Sequence, residues 1–185
     1  MERMLADLEA AQAARERAEA RAEVAESVRA EQGAVTMADR LRAGLGAAVT
    51  VHVAGEALRG RIVDVGQGWL ALERVGGAER TGGDDLVRPG MRLVPFAAVA
   101  GIAGLGRAHA QADGSPIGRG WSSLLRAVAR SRAPVAWHLV SGETSAGTID
   151  AVGADHVLLT PHQAGATLVL PLSSLAWLDV SAATR

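Results

Sequence analysis

The chain has 185 residues, a formal net charge of −1 and no Cys. That is room for one ordinary domain or two small ones, and it excludes disulfides, thiolate metal sites and cysteine nucleophiles. No stretch of about 18 apolar residues is available for a membrane span, and the acidic start MERMLADLEA has no signal-peptide core, so a cytoplasmic protein is expected.

Residues 1–33 predict a helical arm. No Gly or Pro precedes Gly33, and Ala, Glu, Arg and Leu dominate, all strong helix formers. Met4, Leu8, Ala11, Ala18, Ala22 and Ala25 roughly follow a 3/4 spacing, interrupted by Arg15 and Arg29. Such an Ala seam is marginal as an isolated helix. It reads either as a weak coiled coil or as an arm docked on its own domain.

Residues 36–106 and 120–181 read as two copies of one unit, joined by a linker over 107–119. At a constant offset of 87, Val53, Gly55, Glu56, Gly60, Ile62, Val65, Gly66 and Leu72 meet Val140, Gly142, Glu143, Gly147, Ile149, Val152, Gly153 and Leu159. After a gap, LVPFAAVAGI matches VLPLSSLAWL, with Pro95 on Pro171. The identities fall at turn glycines and at alternating apolar sites, where a fold needs them.

Each unit opens with a short helix. The first runs from Thr36 to about Leu45, with Thr36 and Asp39 spaced as a capping box. The second covers about Ser122 to Arg130, with Leu124, Leu125 and Val128 facing inward. A half-buried strand follows, alternating at Val49, Val51, Val53 and at Val135, Trp137, Leu139. The chain turns at Gly55-Glu56 and at Ser141-Gly142-Glu143. A second strand spans Gly60–Val65 or Gly147–Val152. It breaks at Gly66-Gln67-Gly68 or Gly153-Ala154-Asp155, and a third strand carries Leu70 and Leu72, or Val157 and Leu159. A fourth short strand ends at Pro95 or Pro171, which cannot donate to a ladder, and a fifth follows. Arg74–Gly90 is a Gly-rich insertion of the first unit; Pro161–Ala166 is its shorter counterpart.

A short helix and five strands in about 60 residues resemble the Sm-like fold. VTVHVAGEALRGRIVDVGQGWLALE and VAWHLVSGETSAGTIDAVGADHVLLT are similar to the family's first motif, and RLVPFAAVAGI and LVLPLSSLAWL to its second. The resemblance implies a mainly β protein of two tandem Sm-like/SH3-like five-stranded barrels, each preceded by a short helix. It does not carry RNA binding with it. Where the family places an Asp and, four positions later, an Asn, this chain has Gly66 and Leu70, then Gly153 and Val157. The family's Arg-Gly kink reads Pro95-Phe96 and Pro171-Leu172. Leu, Val and Pro cannot hydrogen-bond a base, and a fold does not bring its function along. The acidic helix ahead of a tandem unit is also similar to actinobacterial proteins labelled Fis-family transcriptional regulators. That label implies a helix-turn-helix, and the sequence has no such pattern.

No nucleophile elbow, Walker loop or His-Glu-x-x-His is present, and Gly101, Gly104 and Gly106 are misordered for a dinucleotide fingerprint. No catalysis, no metal and no cofactor are expected; His156 and His162, six apart, suggest no third ligand. All 19 basic residues are Arg, and Asn and Tyr are absent. This is the mark of a GC-rich bacterial genome, so Arg in place of Lys is no sign of phosphate recognition. The near-zero charge also argues against binding nucleic acid by bulk electrostatics. A local basic group remains, at Arg119, Arg126, Arg130 and Arg132, beside Trp69 and His156 at equivalent positions; either ring could stack on a base, or Trp69 packs in the core and His156 is an exposed loop residue. The stronger expectation is assembly through protein–protein contacts. A 60-residue unit is marginal alone, and its fourth and fifth strands leave edges that need cover. The two units are expected to pair about a pseudo-twofold axis, leaving outer edges for a protein partner or for a second copy in a homo-oligomer.

Overall fold

The computed structural model describes residues 26, 33, 35–74, 90–106, 119–163 and 165–181. Glu26 and Gly33 are helical; the rest of the 1–33 arm, with its coiled-coil reading, lies outside the described residues, as do most of the 74–90 insertion and the linker. Met37–Arg185 forms one compact unit holding both predicted halves. No helix among the described residues is long and apolar enough to cross a membrane.

The protein is mainly β. The first half runs α1 (Met37–Ala43), β1 (Ala48–Val53), β2 (Glu56–Gly66), β3 (Trp69–Arg74), β4 (Met91–Pro95) and β5 (Val99–Ala103). The second runs α2 (Trp121–Ser131), β6 (Pro134–Leu139), β7 (Thr144–Val152), β8 (His156–Pro161), β9 (Leu168–Pro171) and β10 (Leu175–Val180). A single turn of 3-10 helix separates β4 from β5 and β9 from β10, starting just after Pro95 and Pro171. Both prolines are extended, with ψ of 140°.

The halves repeat in detail. A β-bulge falls between Ile62 and Asp64 in β2 and between Ile149 and Ala151 in β7. The Phe96 N–H donates to Gly68 O at 2.7 Å, and the Leu172 N–H donates to Asp155 O at the same distance. A Cβ on Gly60 would sit 2.8 Å from Glu73 O, and one on Gly147 would sit 2.2 Å from Thr160 O. A Cβ on Gly66 would strike the Trp69 ring, and one on Gly153 the His156 ring.

One register differs from the gapless alignment. Gly60 pairs with Val49, whereas Gly147 pairs with Val135, so the offset is 86 before the first hairpin and 87 after it. Val53 is therefore a core residue of β1, while Val140 is exposed in a turn. The cause is hairpin length. Ala54 and Gly55, with φ of 47° and 82°, close the first hairpin in two residues, the loop whose twist matches the strands. The second is one residue longer, Val140–Gly142, spanned by the Leu139 N–H donating to Glu143 O at 2.8 Å, with Gly142 at φ 93°. Both second strands thus begin four and three residues before the expected Gly60 and Gly147.

The expected pair of closed barrels is not observed. All ten strands form one antiparallel sheet in the order β5-β1-β2-β3-β4-β10-β6-β7-β8-β9, and it does not close. Within neither half does the fourth strand pair with the fifth; β4 takes β10 of the other half instead. The expected pseudo-twofold pairing is also corrected. A twofold joins like edges, whereas here a fourth strand meets a fifth, which is a head-to-tail contact.

Two cores result. One gathers Leu41 of α1 with Val49, Val51, Val53, Leu58, Ile62, Leu70, Leu72 and Val94, and takes in Ala176 and Trp177 of β10. The other gathers Leu124, Leu125 and Val128 of α2 with Val135, Trp137, Ile149, Val157 and Leu159, and takes in Trp69, Ala71, Met91 and Leu93 of β3 and β4. Each half therefore donates side chains to the other's core. Trp69 through Leu72 are buried without alternation, because β3 is covered on both faces.

Candidate functional site: the junction of the two halves

The junction is built on backbone pairing of Leu93 with Leu178, Arg92 with Asp179, and Met91 with Val180. Alternation along each strand sends Leu93, Leu178, Met91 and Val180 into the second core, and it places Arg92 and Asp179 together on the opposite face. There Arg92 Nε donates to Asp179 Oδ1 at 2.9 Å. Both side chains are largely shielded, 13% and 22% exposed.

His138, on β6 beside β10, completes the cluster. Its Nε2 lies 3.1 Å from Asp179 Oδ2, and its Nδ1 lies 3.0 Å from Thr144 Oγ1. The ring stacks on Trp177, centroids 4.2 Å apart and planes 13° from parallel. Burial pulls the imidazole below its ordinary pKa, more than the Asp179 carboxylate raises it, so the ring is neutral near pH 7. A carboxylate only accepts, so Nε2 carries the proton and donates to Asp179. Nδ1 then accepts from the Thr144 hydroxyl. Hydroxyl, imidazole and carboxylate in series are the parts of a nucleophile relay, but Asp179 shares its charge with Arg92 and burial weakens His138 as a base. What the arrangement does is bind β4, β10, β6 and the start of β7 together through polar groups that water reaches only partly.

The expected site residues fall into different roles. Trp69 is 1% exposed, and its indole Nε1–H donates to Arg119 O at 2.7 Å. The ring is a core residue joining the halves. Arg119 serves this contact through its backbone, which also accepts from the Gln67 N–H, while its side chain is exposed. His156, the counterpart of Trp69, is partly exposed, with Nδ1 2.8 Å from Asp155 Oδ1; that bond holds the Asp155 carboxyl below its usual pKa. Arg126 and Arg130 are exposed on the solvent side of α2. Arg132 ends α2 in the left-handed conformation and pairs with Asp150 at 2.9 Å, an exposed contact that contributes little. Gly55, Gly60, Gly66, Gly142, Gly147, Gly153, Pro95 and Pro171 all stand at turns, bulged strands or strand ends. Among the described residues, no group of three or more His, Cys, Asp or Glu is placed to hold a metal ion.

Sequence reasoning missed the cluster of Arg92, His138, Thr144, Trp177 and Asp179. Alternation alone puts Arg92 and Asp179 on the exposed side of their strands. Only the β4–β10 pairing makes them neighbours. No protein-family model matches this chain, and no curated protein matches it.

Proposed function

We propose that this chain is a non-enzymatic assembly protein built on two Sm-like halves, acting through protein–protein contacts at its sheet edges. The observation that carries this reading is the β4–β10 ladder, an edge-to-edge contact made once inside the chain. Among the described residues, β5 pairs only with β1 and β9 only with β8. Both outer strands, Val99–Ala103 and Leu168–Pro171, carry no charged residue. Lone edges are normally blunted by charge, so uncharged edges suit a chain whose edges are covered by another protein. Light scattering of the full chain is expected to give a defined oligomer, and removal of residues 1–32 is expected to make it smaller. A strict monomer with and without the arm overturns the reading.

A second reading, binding of RNA or DNA, is favoured by one observation. From Arg119 to Arg132 the chain has no acid, and α2 turns Ser123, Arg126 and Arg130 outward, a local basic stripe on a protein of near-zero net charge. Under this reading Arg126→Glu with Arg130→Glu abolishes a gel shift on single-stranded RNA, since two phosphate contacts are lost and two repulsions gained. Absence of any shift by the unaltered protein at low salt ends it.

A further inference from the structure

His138 occupies a repeated position whose two copies meet different surroundings. At the offset of 86 that relates β1 to β6, its counterpart is His52. His52 lies opposite Gly101 of β5, and Ala103 stands two residues further along that strand. His138 lies opposite Trp177 of β10, and Asp179 stands in the place of Ala103. The first imidazole is exposed beside residues without ring or charge. The second is held by a ring and a carboxylate, both on the strand that also pairs with β4. We propose that His138 is an acid-sensitive latch on the seam between the two halves: the neutral ring ties β6 and β7 to β10, and its protonation loosens the β4–β10 junction. The latch is intramolecular and acts whichever protein covers the outer edges.

The observed hydrogen bonds suit the neutral ring. Nε2–H donates to Asp179 Oδ2, and Nδ1 accepts from the Thr144 hydroxyl. A proton on Nδ1 sets two donors face to face until that hydroxyl turns. Asp179 is poorly placed to compensate, because its Oδ1 already accepts from Arg92 Nε at 2.9 Å. Two cations would then share one carboxylate, with the three side chains only 13%, 21% and 22% exposed. The other carboxylate acting on the ring is Glu56, at the start of β2. It is exposed, and water screens its attraction. Burial is the largest influence on the ring and opposes the imidazolium, ahead of the attraction of Asp179, and Arg92 adds repulsion.

The ring sits where loosening spreads. Trp177, stacked on it, packs in the first core, while Leu178 and Val180 of the same strand pack in the second. A disturbed β10 therefore reaches both cores. The unfolded chain takes up the proton more readily than the folded one. Stability is full above the ordinary imidazole value of 6.5 and is lost as pH falls from there through the lower folded value.

The thermal midpoint of the full-length chain, followed by circular dichroism between about pH 8 and pH 5, tests the latch, since imidazoles ordinarily change charge in that range. The unaltered chain is compared with His52→Gln and His138→Gln. Gln keeps a donor and an acceptor and does not titrate. The midpoints of the unaltered chain and of His52→Gln are expected to fall on acidification, and that of His138→Gln to stay nearly level. A level profile in the unaltered chain overturns the proposal, as does a His138→Gln protein that falls as steeply as its parent. Should His138→Gln fail to fold, proton NMR of the imidazole Cε1–H signals in the unaltered chain decides. The His52 signal is the one missing from His52→Gln, and the His138 signal is the one displaced upfield by the Trp177 ring. His138 is expected to titrate at lower pH than His52. A His138 midpoint equal to or above that of His52 overturns the proposal.

Discussion

Trp69→Ala is expected to destabilise the protein by about 3–5 kcal/mol, the range for emptying a large aromatic site in a core. The loss should appear in one cooperative transition. Trp69 belongs to β3 of the first half, yet it lies in the core of the second with Leu124, Leu125 and Val128, and its indole hydrogen bond holds the segment leading into α2. Removing the ring therefore opens the second core and the seam together. Urea unfolding followed by circular dichroism measures it. A loss below about 1 kcal/mol, or two separate transitions, contradicts a shared core. Trp69→Phe keeps most of the apolar volume and gives up the hydrogen bond, so its cost should be smaller, about 1–2 kcal/mol.

The second large effect is expected at a glycine. A Cβ at Gly147 would lie 2.2 Å from the Thr160 carbonyl oxygen, and that oxygen is backbone in the β7–β8 ladder, with no rotamer to relieve it. Gly147→Ala is expected to cost about 3 kcal/mol, the upper end of overpacking losses. Gly60→Ala, where the closest approach is 2.8 Å to Glu73 O, should cost less but in the same direction. Gly101→Ala meets nothing within 4 Å and should change stability by no more than about 0.5 kcal/mol. Thermal unfolding of the three variants checks the order. A Gly147→Ala protein as stable as the parent would show that the two halves do not share the tight β2–β3 and β7–β8 crossing.

Much of the secondary structure was legible in residue pattern. Leu124, Leu125 and Val128 at helical spacing marked α2, and Val135, Trp137 and Leu139 marked β6 by alternation. Both prolines marked strand ends because neither can donate to a ladder. The first hairpin was misplaced by one residue, since a two-residue loop through Ala54 and Gly55 requires an Ala at positive φ, for which residue type gives little warning. Trp69 was legible as a large aromatic near a turn that either stacks or packs in a core, but not as one that fills the core of the other half. Its cover comes from α2, some fifty residues later.

The sequence by itself determined the elements and their duplication, because helix, strand and turn preferences act over a few residues and recur wherever the same residues recur. Tertiary structure alone decided that β4 would take β10, that the sheet would run on through ten strands instead of closing twice, and that Arg92, His138 and Asp179 would meet. The physical reason is that strands pair through N–H and C=O groups common to every residue. Side chains can label which face of a strand is buried, but the choice between available edges is made by the shape of the two cores that must be filled on either side.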